Sequence, residues 1–139
     1  MGRNVLADSN VYIDLLRANR DVVATLFEWI QASGGDLSIC GMVRLEVLRG
    51  IKRGKSMDRL IAFMDAMVNV PSDKALWMDA TDLAWKLDRK GIVIPGADIV
   101  IAASALRVGA AVMTSDVHFQ QIDGLRVIAP PLEWFGRVS

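Results

Sequence analysis

The chain has 139 residues, 53% hydrophobic and 23% charged, with 16 Lys plus Arg balanced by 16 Asp plus Glu. That composition excludes a disordered chain and a simple polycation, and the length suits a single domain, residues 1–139, whose core needs no staples. The lone cysteine, Cys40, excludes an internal disulfide framework and fits a reducing, cytoplasmic setting.

In chain order, Val5-Leu6-Ala7 reads as a short buried strand that runs into Asp8, then the turn formers Ser9 and Asn10, then a helical periodicity from Val11 to Leu16. Asp8 and Asp14 break the apolar stretch that a secretory leader requires. A second helix is expected from Asp21 to Ala32, with Val22, Val23, Leu26 and Ile30 on one side and Ser33-Gly34-Gly35 ending it. Leu37 to Cys40 reads as a buried strand with an inert thiol, and Gly41 as a turn or cap. From Met42 to Arg53 the spacing predicts a helix with an apolar stripe of Val43, Val47, Leu48 and Ile51. Glu46, Arg49 and Arg53 then share another flank.

Ser56 is a good N-cap for a helix reaching Met67, and Val68 to Val70 is a minimal strand closed by Pro71. Ser72 then caps a longer helix to about Lys90, burying Leu76, Ala80, Leu83, Ala84 and Leu87 and leaving Trp77 and Trp85 on its outer flank. Ile92 to Ile94 lead through Pro95-Gly96 into an apolar helix that carries Asp98 in its first turn and ends at Val108. Ala110 to Thr114 form another buried strand before Ser115-Asp116, Arg126 to Ile128 an edge strand, and Pro130-Pro131 release a tail with Trp134 and Phe135. The apolar stretch Ile92 to Met113 is core and no membrane span, because Pro95, Asp98 and Arg107 interrupt it and one mid-bilayer Asp costs about 2.5–3.5 kcal/mol. Strands alternating with helices imply parallel βαβ units. The expected fold is an α/β three-layer sandwich, α/β/α, around a mostly parallel five-stranded sheet.

Each acid has a local explanation when taken singly: an Asx turn for Asp8, a helix N-terminus for Asp98, turn chemistry for Asp116, a solvated flank for Glu46. Together they have more in common. Asp8, Asp98 and Asp116 lie just past predicted strand ends, and Glu46 lies in the helix entered from a fourth strand. Parallel strands place all those ends on one edge of the sheet, where four carboxylates repel each other unless a divalent cation neutralises them. All-oxygen ligation selects a hard ion, Mg²⁺ or Mn²⁺, and such ions assist phosphoryl chemistry.

These residues resemble a known family. Asp8-Ser9-Asn10, Glu46 within Leu45-Glu46-Val47-Leu48-Arg49-Gly50, Asp98 within Asp98-Ile99-Val100-Ile101-Ala102-Ala103, and Thr114-Ser115-Asp116 with Phe119 look like the ordered acidic motifs of PIN-domain ribonucleases. The nearest resemblance is to the VapC toxins of VapBC toxin–antitoxin modules, and it runs from Val5 to about Val127. It implies a PIN-like fold and a Mg²⁺- or Mn²⁺-dependent endoribonuclease that cuts structured RNA such as tRNA or rRNA. A cognate antitoxin is the implied partner, and a homodimer is expected. It further implies that Asp8 and Asp98 bind the metal directly, that Glu46 and Asp116 complete the metal and catalytic set, and that Ser9, Asn10 and Thr114 support it.

Arg44, Arg49, Lys52, Arg53, Lys55 and Arg59 form the one basic concentration, and Arg49 and Arg53 are the candidates for contact with RNA phosphates. His118, the single histidine, reads as a structural turn residue outside the catalytic set. Two other classes compete. A Mg²⁺-dependent phosphotransfer domain would want a second Asp at position 10, where Asn10 stands, or a Lys at the last strand end; a non-catalytic RNA- or protein-binding module would keep the acids only for structure.

Overall fold

The computed structural model describes residues 3–135. Five strands form one sheet: β1 (Asn4–Ala7), β2 (Asp36–Cys40), β3 (Val68–Val70), β4 (Ala111–Met113) and β5 (Val127–Ile128). Six helices connect and cover them: α1 (Ser9–Arg17), α2 (Val22–Ser33), α3 (Gly41–Leu48), α4 (Lys55–Asp65), α5 (Lys74–Arg89) and α6 (Gly96–Val108). Every strand pairing is parallel and the spatial order is β3-β2-β1-β4-β5.

The expected α/β sandwich is what the chain adopts. Successive strand residues face opposite sides of a sheet, and Val5, Leu6 and Ala7 are all buried, so helices cover both faces of β1. The chain starts in the centre, moves outward to β2 and β3, then returns to build β4 and β5 on the other side of β1. The winding direction therefore reverses between β1 and β4. In open parallel sheets that reversal opens a crevice beyond the carboxyl ends of the two strands.

Several local expectations are corrected. The third helix ends at Leu48, with Arg49 its C-terminal cap and residues 51–54 in bends, so Arg49 and Arg53 do not share a helical flank. Asp73, not Ser72, caps α5: its carboxylate accepts the Leu76 amide at 3.0 Å and also takes both Arg107 nitrogens at 2.6 and 2.9 Å. That pairing holds the Asp73 carboxyl down at about 2. At α4 the capping position is Gly54 and Ser56 already lies inside the helix. Ile92 to Ile94 form no strand and pair with nothing in the sheet. Beyond Pro130-Pro131 the chain turns back: Trp134 is buried and meets Phe135 edge-on at 6.3 Å. Trp77 and Trp85 are exposed, as the periodicity predicts, and Arg89 stacks over Trp85 at 4.6 Å.

Helix α6 is buried along nearly its whole length, Ile99 through Ala105, which is why its sequence shows no amphipathic stripe. It stops at Gly109, whose φ of 67° is left-handed and favours glycine. Two alanine substitutions at the ends of this helix therefore have opposite signs. Gly109→Ala costs about 1–2 kcal/mol in urea denaturation, whereas Gly96→Ala, in a helical position with open space around its added methyl, gains up to about 1 kcal/mol.

Candidate active site

Asp8 follows β1 directly and is 1% exposed. Its amide donates to the Met113 carbonyl at 2.9 Å, extending the β1–β4 ladder by one bond into the crevice. Its carboxylate is held from both sides. Thr114, the residue after β4, donates from Oγ1 to Asp8 Oδ2 at 2.9 Å, and Ser9 Oγ lies 3.4 Å from Asp8 Oδ1. The Ser9 hydroxyl has one proton, and its shorter bond, 2.8 Å, goes to Glu46 Oε1. Ser9 opens α1 and Glu46 sits on α3 between Leu45 and the buried Val47, so this bond fastens the two helices across the crevice.

Thr114 acts in both directions. While donating to Asp8, its Oγ1 accepts the Asp116 amide at 2.9 Å, and Asp116 Oδ1 in turn accepts the His118 amide at 2.9 Å. The bonds run in sequence from Asp8 through Thr114 and Asp116 to His118, with the Ser9–Glu46 pair beside them. Asp98 arrives separately, from the first turn of α6, which packs against β1, β3, α3 and α5. Its position owes nothing to a strand of its own, contrary to the expectation that it follows a strand end.

The electrostatics report how close the acids are. Burial pushes the Asp98 carboxyl up to about 6, with further upward contributions from the charges of Asp8, Asp116 and Glu46 and an opposing one from His118. Burial likewise raises Asp8, against the lowering effect of its hydrogen bonds from Thr114 and Ser9. The donors of Asp98, Asp116 and His118 all lie within 4.8 Å of one another. His118 Nδ1 stands 3.2 Å from Asp116 Oδ1 and 3.8 Å from Asp98 Oδ2, and it is buried without a hydrogen-bond partner. Crowded carboxylates with a raised pKa and an orphaned nitrogen beside them fit a divalent cation.

Of the residues singled out from the sequence, Asp8, Glu46, Asp98, Asp116, Ser9 and Thr114 come together here. Asn10 does not: it is exposed and its side chain makes no hydrogen bond among the described residues. Arg49 and Arg53 line one shallow hollow with Arg44, although Arg53 lies beyond the helix. Arg44 and Arg59 are tied to Asp65 and Asp21, at 2.8 and 2.6 Å, whereas Arg49 and Arg53 form no ion pair among the described residues. His118 was the residue missed, and the only signal for it was its spacing of two from Asp116.

A doubly wound parallel sheet with acids gathered at its switch point defines a class of α/β proteins whose crevice can take a divalent cation. The PIN domain family model matches residues 5–125, and the chain belongs to that family. No curated protein matches the chain. Similar folds include a chain of the DNA-bound VapBC of Salmonella typhimurium (TM-score 0.71, 20% identity, covering 93% of this chain and 98% of that one). Another belongs to VapBC-1 of nontypeable Haemophilus influenzae (0.69, 20%, 96% and 99%). A third belongs to VapBC-5 of Mycobacterium tuberculosis, a member of the VapBC family of toxin–antitoxin systems (0.58, 20%, 91% and 98%).

The raised carboxyls give a stability effect of definite sign. A folded-state value of about 6 for Asp98 against an ordinary 3.8 means that the folded protein binds more protons than the unfolded chain between those limits. In chelator, stability is therefore greatest at low pH in this window and falls as pH rises through about 6. Asp98→Asn flattens that fall and raises the melting temperature at pH 7.5 in EDTA, while losing the increase that added Mg²⁺ or Mn²⁺ gives the parent protein. Thermal melts across pH 4–8, with and without metal, check both parts.

Proposed function

We propose that this PIN-domain chain is a VapC-type toxin, a Mg²⁺- or Mn²⁺-dependent endoribonuclease that cuts structured RNA such as tRNA or rRNA and is held inactive by a cognate antitoxin. It works as a single domain, in the cytoplasm and as a homodimer. The observation that carries the reading is the convergence of Asp8, Glu46, Asp98 and Asp116 on one crevice, where hydroxyls of Thr114 and Ser9 hold the Asp8 and Glu46 carboxylates. Membership of the PIN domain family supports it, and so does the fold's likeness to chains solved as VapBC complexes.

A bound divalent cation supplies charge neutralisation at the scissile phosphate and a lowered pKa for water. Asp8 and Asp98 hold that ion. Thr114 keeps the Asp8 carboxylate in one rotamer, so the ligand is preorganised. Glu46, with Oε1 engaged by Ser9, presents Oε2 to orient the attacking water and accept its proton, and Asp116 completes the negative wall. In-line attack on phosphorus breaks the bond to O3′, leaving a 5′-phosphate and a 3′-hydroxyl. Arg49 and Arg53, free of internal ion pairs among the described residues, steer the RNA backbone toward the crevice. The phosphotransfer alternative is not favoured, since no lysine pairs with these acids among the described residues and position 10 is an exposed Asn and not a second Asp.

The test is incubation of nuclease-free protein with total RNA and a panel of tRNAs in Mg²⁺, Mn²⁺ or EDTA, with mapping of the 5′ ends. Discrete metal-dependent cuts are expected, and Asp8→Ala or Asp98→Ala reduces their rate by at least about a thousandfold. Full cleavage by either variant would sink the assignment. Arg49→Ala combined with Arg53→Ala weakens RNA binding and lowers the slope of log K against log salt by about 1–2, while metal binding is retained.

A further inference from the structure

Resting on the metal-dependent reading above, we infer that His118 supplies a nitrogen ligand, through Nδ1, to a cation shared with Asp98 and Asp116, and that this ligand turns the centre's preference from Mg²⁺ toward Mn²⁺. The ring is placed with one edge in and one edge out. His118's side chain as a whole is 44% exposed, yet Nδ1 is buried and has no hydrogen-bond partner. A histidine that merely decorated a surface turn would keep both nitrogens in contact with water.

What turns Nδ1 inward is the short 3₁₀ turn Val117–Gln121. Asp116 Oδ1 accepts the His118 amide at the start of that turn, and the next residue, Phe119, is fully buried and pins it to the core. The imidazole is thus anchored on both sides while its free nitrogen faces two carboxylates at 3.2 and 3.8 Å. Donors around one octahedral ion with bonds of about 2.1 Å stand roughly 3.0 Å apart when adjacent and 4.2 Å when opposite, so both separations lie in the range for ligands of a single ion. A buried nitrogen left unpaired costs free energy, and a cation placed between it and the carboxylates removes that cost.

The consequence is selectivity. Carboxylates serve Mg²⁺ and Mn²⁺ alike, whereas an imidazole nitrogen favours transition ions over Mg²⁺. An Asp98–Asp116–His118 arrangement discriminates where an all-oxygen one would not.

The experiment uses the full chain with Mn²⁺ as the probe, read by pulsed electron paramagnetic resonance for nitrogen hyperfine coupling and by calorimetry for affinity, with Mg²⁺ titrated in parallel. Bound Mn²⁺ in the parent protein is expected to show nitrogen coupling. His118→Ala and His118→Asn lose that coupling and weaken Mn²⁺ binding by about tenfold or more, while Mg²⁺ affinity changes by less than about threefold. The Asn variant keeps the polar character of the turn, and circular dichroism confirms that both variants fold. Mn²⁺ bound without nitrogen coupling in the parent would overturn the role of His118 and leave the metal reading standing. Failure of either ion to bind at all would overturn both.

Discussion

Repulsion among carboxylates at a place that water barely reaches is the constraint on which this molecule turns. Asp8 is buried at the end of the central strand, and burial, joined by the charges of the neighbouring acids, raises the Asp98 carboxyl to about 6. Left alone, such a cluster works against folding, because each charge is both desolvated and opposed by its neighbours. The protein answers with hydroxyls. Ser9 and Thr114 each donate to a carboxylate, and Thr114 also accepts an amide, so the acids are locked in orientation even while they repel. Strain of this kind is usual where a structure is shaped for a ligand and not for its own stability.

The sheet makes the cluster possible. Because β1 is central and the winding reverses beside it, the carboxyl ends of β1 and β4 face one crevice, and the residues after both strands fall into it without any special loop. Asp8, Thr114 and Asp116 follow from that topology alone. Glu46 and Asp98 are carried by α3 and α6, helices whose neighbouring residues Val43, Val47, Ile99 and Val100 are buried, so core packing positions the acids. Strand end and helices thus hold Asp8, Glu46 and Asp98, Asp116 is tied back through Thr114, and the basic residues Arg49 and Arg53 sit on the irregular segment where some play is tolerable.

Much of this was legible in the chain. An apolar triplet followed by an acid marks β1 and Asp8, and Val68–Val70 matches to the residue, because a short β-branched run closed by Pro71 is distinctive. The errors fall at helix ends and have physical causes. Both Ser72 and Asp73 can cap, and Arg107, a residue 34 positions away, decided for Asp73. Ser56 lost to Gly54, whose φ of 156° is a backbone conformation that favours glycine. The helix after β2 was drawn too long because the apolar spacing continues through Ile51, which packs on the core from a bend and not from a helix. His118 reads as a plain turn residue for a different reason: nothing in a sequence says which ring nitrogen a turn will bury.

The bond between Thr114 and Asp8 joins residues 106 positions apart, and it has a consequence in time. At translation rates of about 5–20 residues per second, on the order of 5–20 s separate the synthesis of the two partners. Through that interval β1 has no β4 beside it, and Asp8 stands in a half-built sheet with neither the threonine that orients it nor the second aspartate that completes the wall. Pairing across so long a loop is also slow to form. The crevice is thereby completed only when synthesis is nearly over, so whatever chemistry it performs is withheld from the nascent chain.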